Sequence, residues 1–459
     1  MKLTYKLNSM SFVCIIVTAC LCSLYTALRI SVQTAYYLFA VLVVLLLNLG
    51  AKKEIIVLSA IGFLFGICIS LQTAKSSCPF KSLVPDEDIC LVQGIVLSDP
   101  VPKDIGSYGF TFKVEFAKSE NIISSAMGKS TVFVKADLIE KPEYEIALTR
   151  QKQNRVMIEQ GARFYFTGRY SSKNNSFYAD KAVFLGWNKE IYKMRAHMRL
   201  RLKKTLFSWG DAGTLLLALV TGTREFVPIK LRNNFTQTGI AHILALSGMH
   251  LAIIGGFVKK LFKPFLGYNA AMLLTILACG FFLWFAGISP SLLRAFLCLV
   301  ISSLFELWGI GVKKITVLAL SFLIQLVLFP EHCLALSFML SYTGLVGIYL
   351  FMDFFKWIYT GYLRLPKKLA ESLAVSTAAQ IGILPISFIC LKQIVPIGIF
   401  TTLCVSPFIS LFFIFGIFGI LFSLVFQGTG AIFSFLLNVI YAIICRIIDF
   451  FTLFPPVNL

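Results

Sequence analysis

The chain has 459 residues, 58% of them hydrophobic and 14% charged, with mean hydropathy +0.82 and a formal net charge of +20. A soluble globule carries about 25% charged residues, so this composition excludes one. It points instead to a polytopic membrane protein, in which roughly 20 apolar residues suffice for each spanning helix. The positive charge has two homes: topogenic Lys and Arg in cytoplasmic loops, and a surface that attracts anionic lipid or nucleic acid.

Residues 11–28, 34–50 and 54–72 read as three closely spaced spans, which make 1–72 an N-terminal membrane region. The opening MKLTYKLNSMSFVCIIVTACLC resembles a signal peptide, with a lipoprotein-like cleavage pattern at 17–20. The spans that follow fit an uncleaved anchor better. Most of the 12 cysteines lie in apolar runs, where they act as small hydrophobes. Cys78 and Cys90 instead flank a polar stretch, and a disulfide between them is expected if that stretch lies outside the cytoplasm. With no CxxC pair and no zinc-type spacing, no metal and no cofactor is expected.

A polar insertion follows, read as a β domain over 73–188. Segments 88–98, 107–117, 129–138, 161–171 and 176–186 alternate like strands and are separated by Pro, Gly, Asn and Ser turns. Five antiparallel strands of this size match a small Greek-key barrel of the OB type, a common binder of single strands. Phe110, Phe112, Lys113, Arg163, Tyr165, Arg169 and Tyr170 interleave aromatic and basic side chains, a mix suited to base stacking and phosphate contact. The same aromatics also suit a barrel core.

Residues 189–210 form a basic amphipathic helix: Ile191, Met194, Met198, Leu202 and Leu206 recur at helical spacing, and Arg195, Arg199, Arg201, Lys203 and Lys204 lie on or near the other faces. It either rests on lipid headgroups or forms a basic collar that guides a polyanion. Residues 211–459 return to apolar runs, about eight spans at 236–258, 266–288, 290–309, 315–330, 335–352, 370–390, 395–424 and 430–453. The first is readable as re-entrant or broken at Gly248. The fold class is thus an α-helical polytopic membrane protein of about 11 spans with an inserted extracytoplasmic all-β OB-like domain.

Orientation follows from the basic loops. Lys2 and Lys6, Lys52 and Lys53, Lys259, Lys260 and Lys263, Lys313 and Lys314, and Lys356, Arg364, Lys367 and Lys368 fall on one side if every span crosses once. That side is cytoplasmic by the positive-inside rule, which puts 73–210 outside a bacterial inner membrane.

Polar groups inside a bilayer are costly and usually face a pathway. His242, Ser247 and His250, with Gly248 between them, therefore either line a polar path or fix helix packing. Arg294, one turn into a helix opened by Ser289 and Pro290, either meets a passing phosphate or pairs with Glu306 or a backbone carbonyl. Gln325, Ser341 and Gln380 suit pathway or packing, and Arg446 and Asp449 a structural ion pair.

Several stretches together resemble the ComEC family of bacterial DNA-internalisation channels. They are VQGIVLSDP at 92–100, the run from 215 to 254 that contains LALSGMH, SPSLLRAF at 289–296, LSFMLSYTGLVGI at 336–348 and SLAVSTAAQIGILPI at 372–386. The resemblance implies a competence channel that passes one strand of incoming DNA, with no bond chemistry of its own. It also implies an external DNA receptor and a cytoplasmic ATP-driven helicase as partners, and leaves a homo-oligomer open. Many members carry a metallo-β-lactamase-like domain. The four histidines here contain no HxHxDH, so strand degradation is expected from another protein. Two other readings stand beside this one. The first is a transporter of another anionic substrate. The second is an intramembrane serine hydrolase, since Ser247 and His250 sit at i and i+3 and LALSGMH faintly echoes a rhomboid-like GxSG element, with Ala245 where that element has Gly.

Overall fold

A computed structural model describes residues 82–102, 107–119, 122–135, 158–224, 226–329, 332, 335–426, 429–454 and 457–458. The three expected N-terminal spans and Cys78 lie outside these residues. Cys90 carries a free thiol whose Sγ donates to the Lys118 carbonyl.

The N-terminal part is a small β-barrel. Its main strands are β1 (Leu91–Val96), β3 (Ser107–Lys118), β5 (Lys129–Lys135), β6 (Ala162–Ser171) and β7 (Ser176–Trp187), with short β2 (Val101–Pro102) and β4 (Ile123–Ser125) paired to β3. The expected strand segments thus appear with small shifts at their ends. β1 pairs with both β3 and β6, β3 with β5, and β6 with β7. A parallel pairing of β5 with β7 closes the circle. Alternate side chains fill the interior: Val92, Phe112, Val132, Phe164, Phe166 and Phe177 are fully buried. The Phe112 ring meets Phe166 edge-on at 5.2 Å, an arrangement that adds to the burial of the rings.

The helical part begins with α1 (Glu190–Phe207), α2 (Gly210–Thr221), α3 (Ile229–Gln237) and α4 (Ala241–Leu244). After these come α5 (Gly248–Ala286), α6 (Pro290–Leu307), α7 (Lys314–Leu328), α8 (Leu336–Gly361), α9 (Lys367–Ile386), α10 (Gly398–Val425) and α11 (Thr429–Phe451). Among the described residues six helices, α5, α6 and α8–α11, are long and apolar enough to cross a membrane, while α7 is shorter. Their outward faces are apolar, as Leu273, Leu277 and Phe281 show at i, i+4 and i+8. Such faces need lipid rather than water around them.

α5 is a hairpin. Its backbone breaks at Gly267 (φ 76°), and Cys279 Sγ on the second arm lies 3.8 Å from the Leu251 carbonyl on the first. The expected spans 236–258 and 266–288 are these two arms, but the first starts only at Gly248; residues 236–247 hold the end of α3, the short α4 and an extended link. Ser247 caps the arm, so the chain enters the helix there. α8 and α9 touch closely through Gly347 and Gly382: a Cβ on Gly347 would lie 2.6 Å from the Gly382 Cα. Small residues allow this approach between membrane helices.

α2 is buried on every side, from Ala212 to Thr221. At 12 residues it is too short to cross, and it packs against α5, α10 and α11 as an interior strut. The expected ion pair in α11 is absent: Asp449 instead accepts from Asn234 Nδ2 of α3 at 2.7 Å, and no Arg446–Asp449 pair forms among the described residues.

The Lys-bearing turns share one end of the bundle. α5 and α6 meet at Gly287 beside the barrel loop, so the Gly267 turn, near Lys259, Lys260 and Lys263, lies at the opposite end. α6 runs away from the barrel to Lys313 and Lys314, and α7 returns to place Gln325 against Pro290. α8 runs away again, and Lys356 at its far end bonds Glu371 at the start of α9.

Candidate functional site

The barrel is fixed to the membrane helices by a buried ion cluster. Asp99, in the loop after β1, accepts from Arg199 Nη1 at 2.6 Å and from Arg195 Nη2 at 3.3 Å. Glu159, just before β6, accepts from Lys203 Nζ at 2.8 Å and lies 3.5 Å from Arg199 Nε. Arg195 Nε donates to the Phe285 carbonyl at the end of α5, which joins the barrel, α1 and the hairpin in one contact. Burial alone raises the Asp99 pKa, but the Arg199 and Arg195 guanidinium groups outweigh it and hold the carboxyl well below the usual carboxylate range.

This reverses the expected use of α1. Arg195, Arg199 and Lys203 recur every four residues on its buried face, each paired with Asp99 or Glu159, together with Leu202 and Leu206, while Ile191, Met194 and Met198 are exposed. Those three cations therefore form no collar for a polyanion.

On the barrel, the expected nucleic-acid residues divide. Phe110 and Phe112 are core residues and offer no face to a base, which corrects their placement on a binding surface. Tyr170 also leans on the core, and its hydroxyl donates to Asn175 Oδ1 at 3.1 Å. Lys113, Arg163 and Tyr165 do come together: Ile95 of β1 is the register partner of both Lys113 and Arg163, and Gln93 that of Tyr165. Arg169 continues the same outer face beside Tyr178, which stacks on Phe133 at 5.4 Å.

Inside the membrane part, the expected residues form one cluster with outliers. Gly248, the first residue of α5, sits against α6: a Cβ there would lie 3.4 Å from Arg294 Nη2 and 3.3 Å from the Ala295 Cβ. Arg294 is 7% exposed, so its charge is almost fully withdrawn from solvent. Its Nη1 donates to the Ser341 carbonyl, its guanidinium carbon stands 5.9 Å above the Tyr342 ring, and its Nε has no partner. No carboxylate reaches it among the described residues, so the alternative pairing with Glu306 does not form and the backbone-carbonyl alternative does. Ser341 Oγ donates to Ser291 Oγ at 3.2 Å. Gln325 is fully buried; its Oε1 accepts from Tyr342 and its Nε2 donates to the Pro290 carbonyl, both at 3.1 Å, so it holds α6, α7 and α8 together.

His250 belongs to the capping of α5. Its Nδ1 accepts from the Ser247 backbone N–H at 3.2 Å and lies 3.2 Å from Ser247 Oγ. Nδ1 is thus an acceptor, the proton sits on Nε2, and that atom is buried with no partner. The ring packs edge-on to Phe413 at 4.7 Å. His242 is exposed on α4, and Gln380 lies near Gly398 and Thr238, so neither joins the Arg294 cluster. Asp99, Glu159, Ser291 and Tyr342 were not foreseen from sequence; the four-residue recurrence of Arg195, Arg199 and Lys203 is the signal that could have pointed to the first two.

Residues 219–458 match the family model described as competence protein, just over half of the chain. The chain is 24% identical over 291 residues to ComE operon protein 3 of Bacillus subtilis (strain 168), covering 58% of this chain and 36% of that protein. It is also 23% identical over 368 residues to an uncharacterized protein of Aquifex aeolicus (strain VF5), covering 77% of this chain and 81% of that one. An uncharacterized Escherichia coli (strain K12) protein, YcaI, is 28% identical over 126 residues, 25% of this chain and 16% of its own length. The chain therefore spans about a third of the length of the Bacillus relative and most of the Aquifex one. No solved structure gives a significant match. With the family model covering its membrane half and the start of α5 and α6 inside the matched region, this chain belongs to the competence protein family.

Proposed function

We propose that this protein is an inner-membrane channel for single-stranded DNA in natural transformation. The observation that carries the reading is Arg294: a buried guanidinium without a carboxylate, inside the region that matches the competence family. Besides its bond to the Ser341 carbonyl it keeps an unpartnered Nε, and a buried cation inside a membrane region commonly marks the path of an ion or substrate. The barrel supports the same reading. Its strands pair in the order 1-2-3-5-4-1 among the five long ones, the order of an OB fold. Lys113, Arg163, Tyr165 and Arg169 share its outer face. The basic turns at the far end of the bundle favour an extracytoplasmic barrel by the positive-inside rule.

In this reading the protein is a conduit and not an enzyme. An external receptor delivers the strand, an ATP-driven helicase pulls it from inside, and lipid surrounds the helices. The Ser247–His250 contact is accounted for by helix capping, and no third polar group bonds the ring among the described residues. The test is entry of labelled DNA into transformable cells that lack their own channel and express this protein. Rescue supports the channel. Failure to rescue, with membrane insertion verified and the matching helicase and receptor co-expressed, contradicts it.

A further inference from the structure

Between the barrel and the membrane helices lies a cavity of about 290 Å³. Its walls come from the β1–β2 loop, the segment after α2, the entry to α5, the α5–α6 turn and the start of α8. Ligand pockets usually run from about 300 to 1,000 Å³, so this one suits a single small unit and not a duplex.

Three helices begin at this cavity. Leu246 precedes the α5 cap, Ser289 is the cap of α6 with Ser291 in its first turn, and Ser337 is in the first turn of α8; all four line the wall. Helix N-termini carry partial positive charge and free N–H donors. The second, independent feature is Arg224. It lines the same cavity, and its side chain has no hydrogen-bond or ion-pair partner among the described residues. Burial lowers its pKa, as does the like charge of Arg232. The one carboxylate in the wall, Asp99, is already spent on Arg195 and Arg199. Charge and donors therefore converge on a space with no resident counter-ion among the described residues.

We propose that this cavity binds a phosphodiester anion, with Arg224 as its direct charge partner and Ser289, Ser291 and Ser337 as donors. Below it, Ser291 leads through Ser341 to Arg294, so the cavity is the outer end of the polar thread. A nucleic-acid strand and a phospholipid headgroup both present this group; the choice of the strand rests on the channel reading above, while the anion site does not.

The test is arginine modification by phenylglyoxal on the purified full chain in detergent, followed by mass spectrometry. Arg195 and Arg199, buried and ion-paired, serve as slow internal references. Tetrathymidylate at about four times its Kd should slow Arg224 modification about fivefold by mass action, and its uncharged methylphosphonate analogue should not. Protection by dihexanoylphosphatidylglycerol but not by tetrathymidylate would overturn the strand as occupant. Absence of protection by either, at millimolar concentration and with Arg224 reactive, would overturn the site. Protection of Arg224 by tetrathymidylate alongside failed DNA uptake would contradict transport while leaving the site in place.

Discussion

Two groups of buried arginines separate the junction from the membrane interior. At the junction, Arg195 and Arg199 face Asp99 and Glu159 and are held by carboxylates. In the interior, Arg294 has a carbonyl, an aromatic face and an unpaired Nε. The first arrangement fixes one body to another; the second leaves a cation available. Burial alone therefore does not mark function, and the identity of the partner does. The barrel repeats the contrast, with Phe112 tied into the core and Lys113, its neighbour, open to solvent.

Substitutions can break the contrast in order of expected size. Phe112→Ala should cost about 3–5 kcal/mol by emptying the barrel core, read by thermal melting of the full chain. Asp99→Ala should cost about 3 kcal/mol, since it leaves Arg195 and Arg199 buried without their shared partner. Limited proteolysis between barrel and helices should show the loosened seat, and an unchanged digest would mean that the ion cluster holds nothing. The Asp99 pKa is depressed in the fold, so its contribution is complete above the ordinary carboxylate pKa of about 4. It is lost only as pH falls below that value toward the folded pKa. Melting between pH 5 and pH 7 should accordingly show no loss of stability from this group.

Smaller effects sharpen the free side of the comparison. Ser247→Ala should cost about 1 kcal/mol through the lost cap, and a fluorophosphonate probe should leave Ser247 unlabelled; labelling would revive the hydrolase reading. Lys113→Ala should change stability by less than about 0.5 kcal/mol. It should also lower the salt slope of oligonucleotide binding by about 1, and an unchanged slope would remove Lys113 from the binding face.

Much of this was legible in the sequence, for identifiable reasons. Alternation of period two located the strands, and the length of the apolar runs located most membrane helices. The same alternation separates Phe110 and Phe112 from Lys113, since odd and even positions of a strand face opposite ways. Grouping them by composition overlooked that. α1 was recognisable as amphipathic, but periodicity does not say that its cations will be among the residues that meet protein. α2 was hidden because 12 apolar residues are too few for a span and carry no mark of an interior strut. The partners of Arg294 and of Arg195 lie far away along the chain, and no local pattern joins them.

DNA uptake by the Arg294 variants tests the distinction most directly. Labelled DNA would be followed into transformable cells expressing wild type, Arg294→Ala or Arg294→Lys, with insertion and melting temperature checked for each. Arg294→Ala should reduce entry at least about tenfold, equivalent to about 1.4 kcal/mol, and Arg294→Lys should restore part of it at a melting temperature close to wild type. Entry at the wild-type level in Arg294→Ala would make Arg294 a packing residue like those at the junction and would contradict a charged path through the membrane.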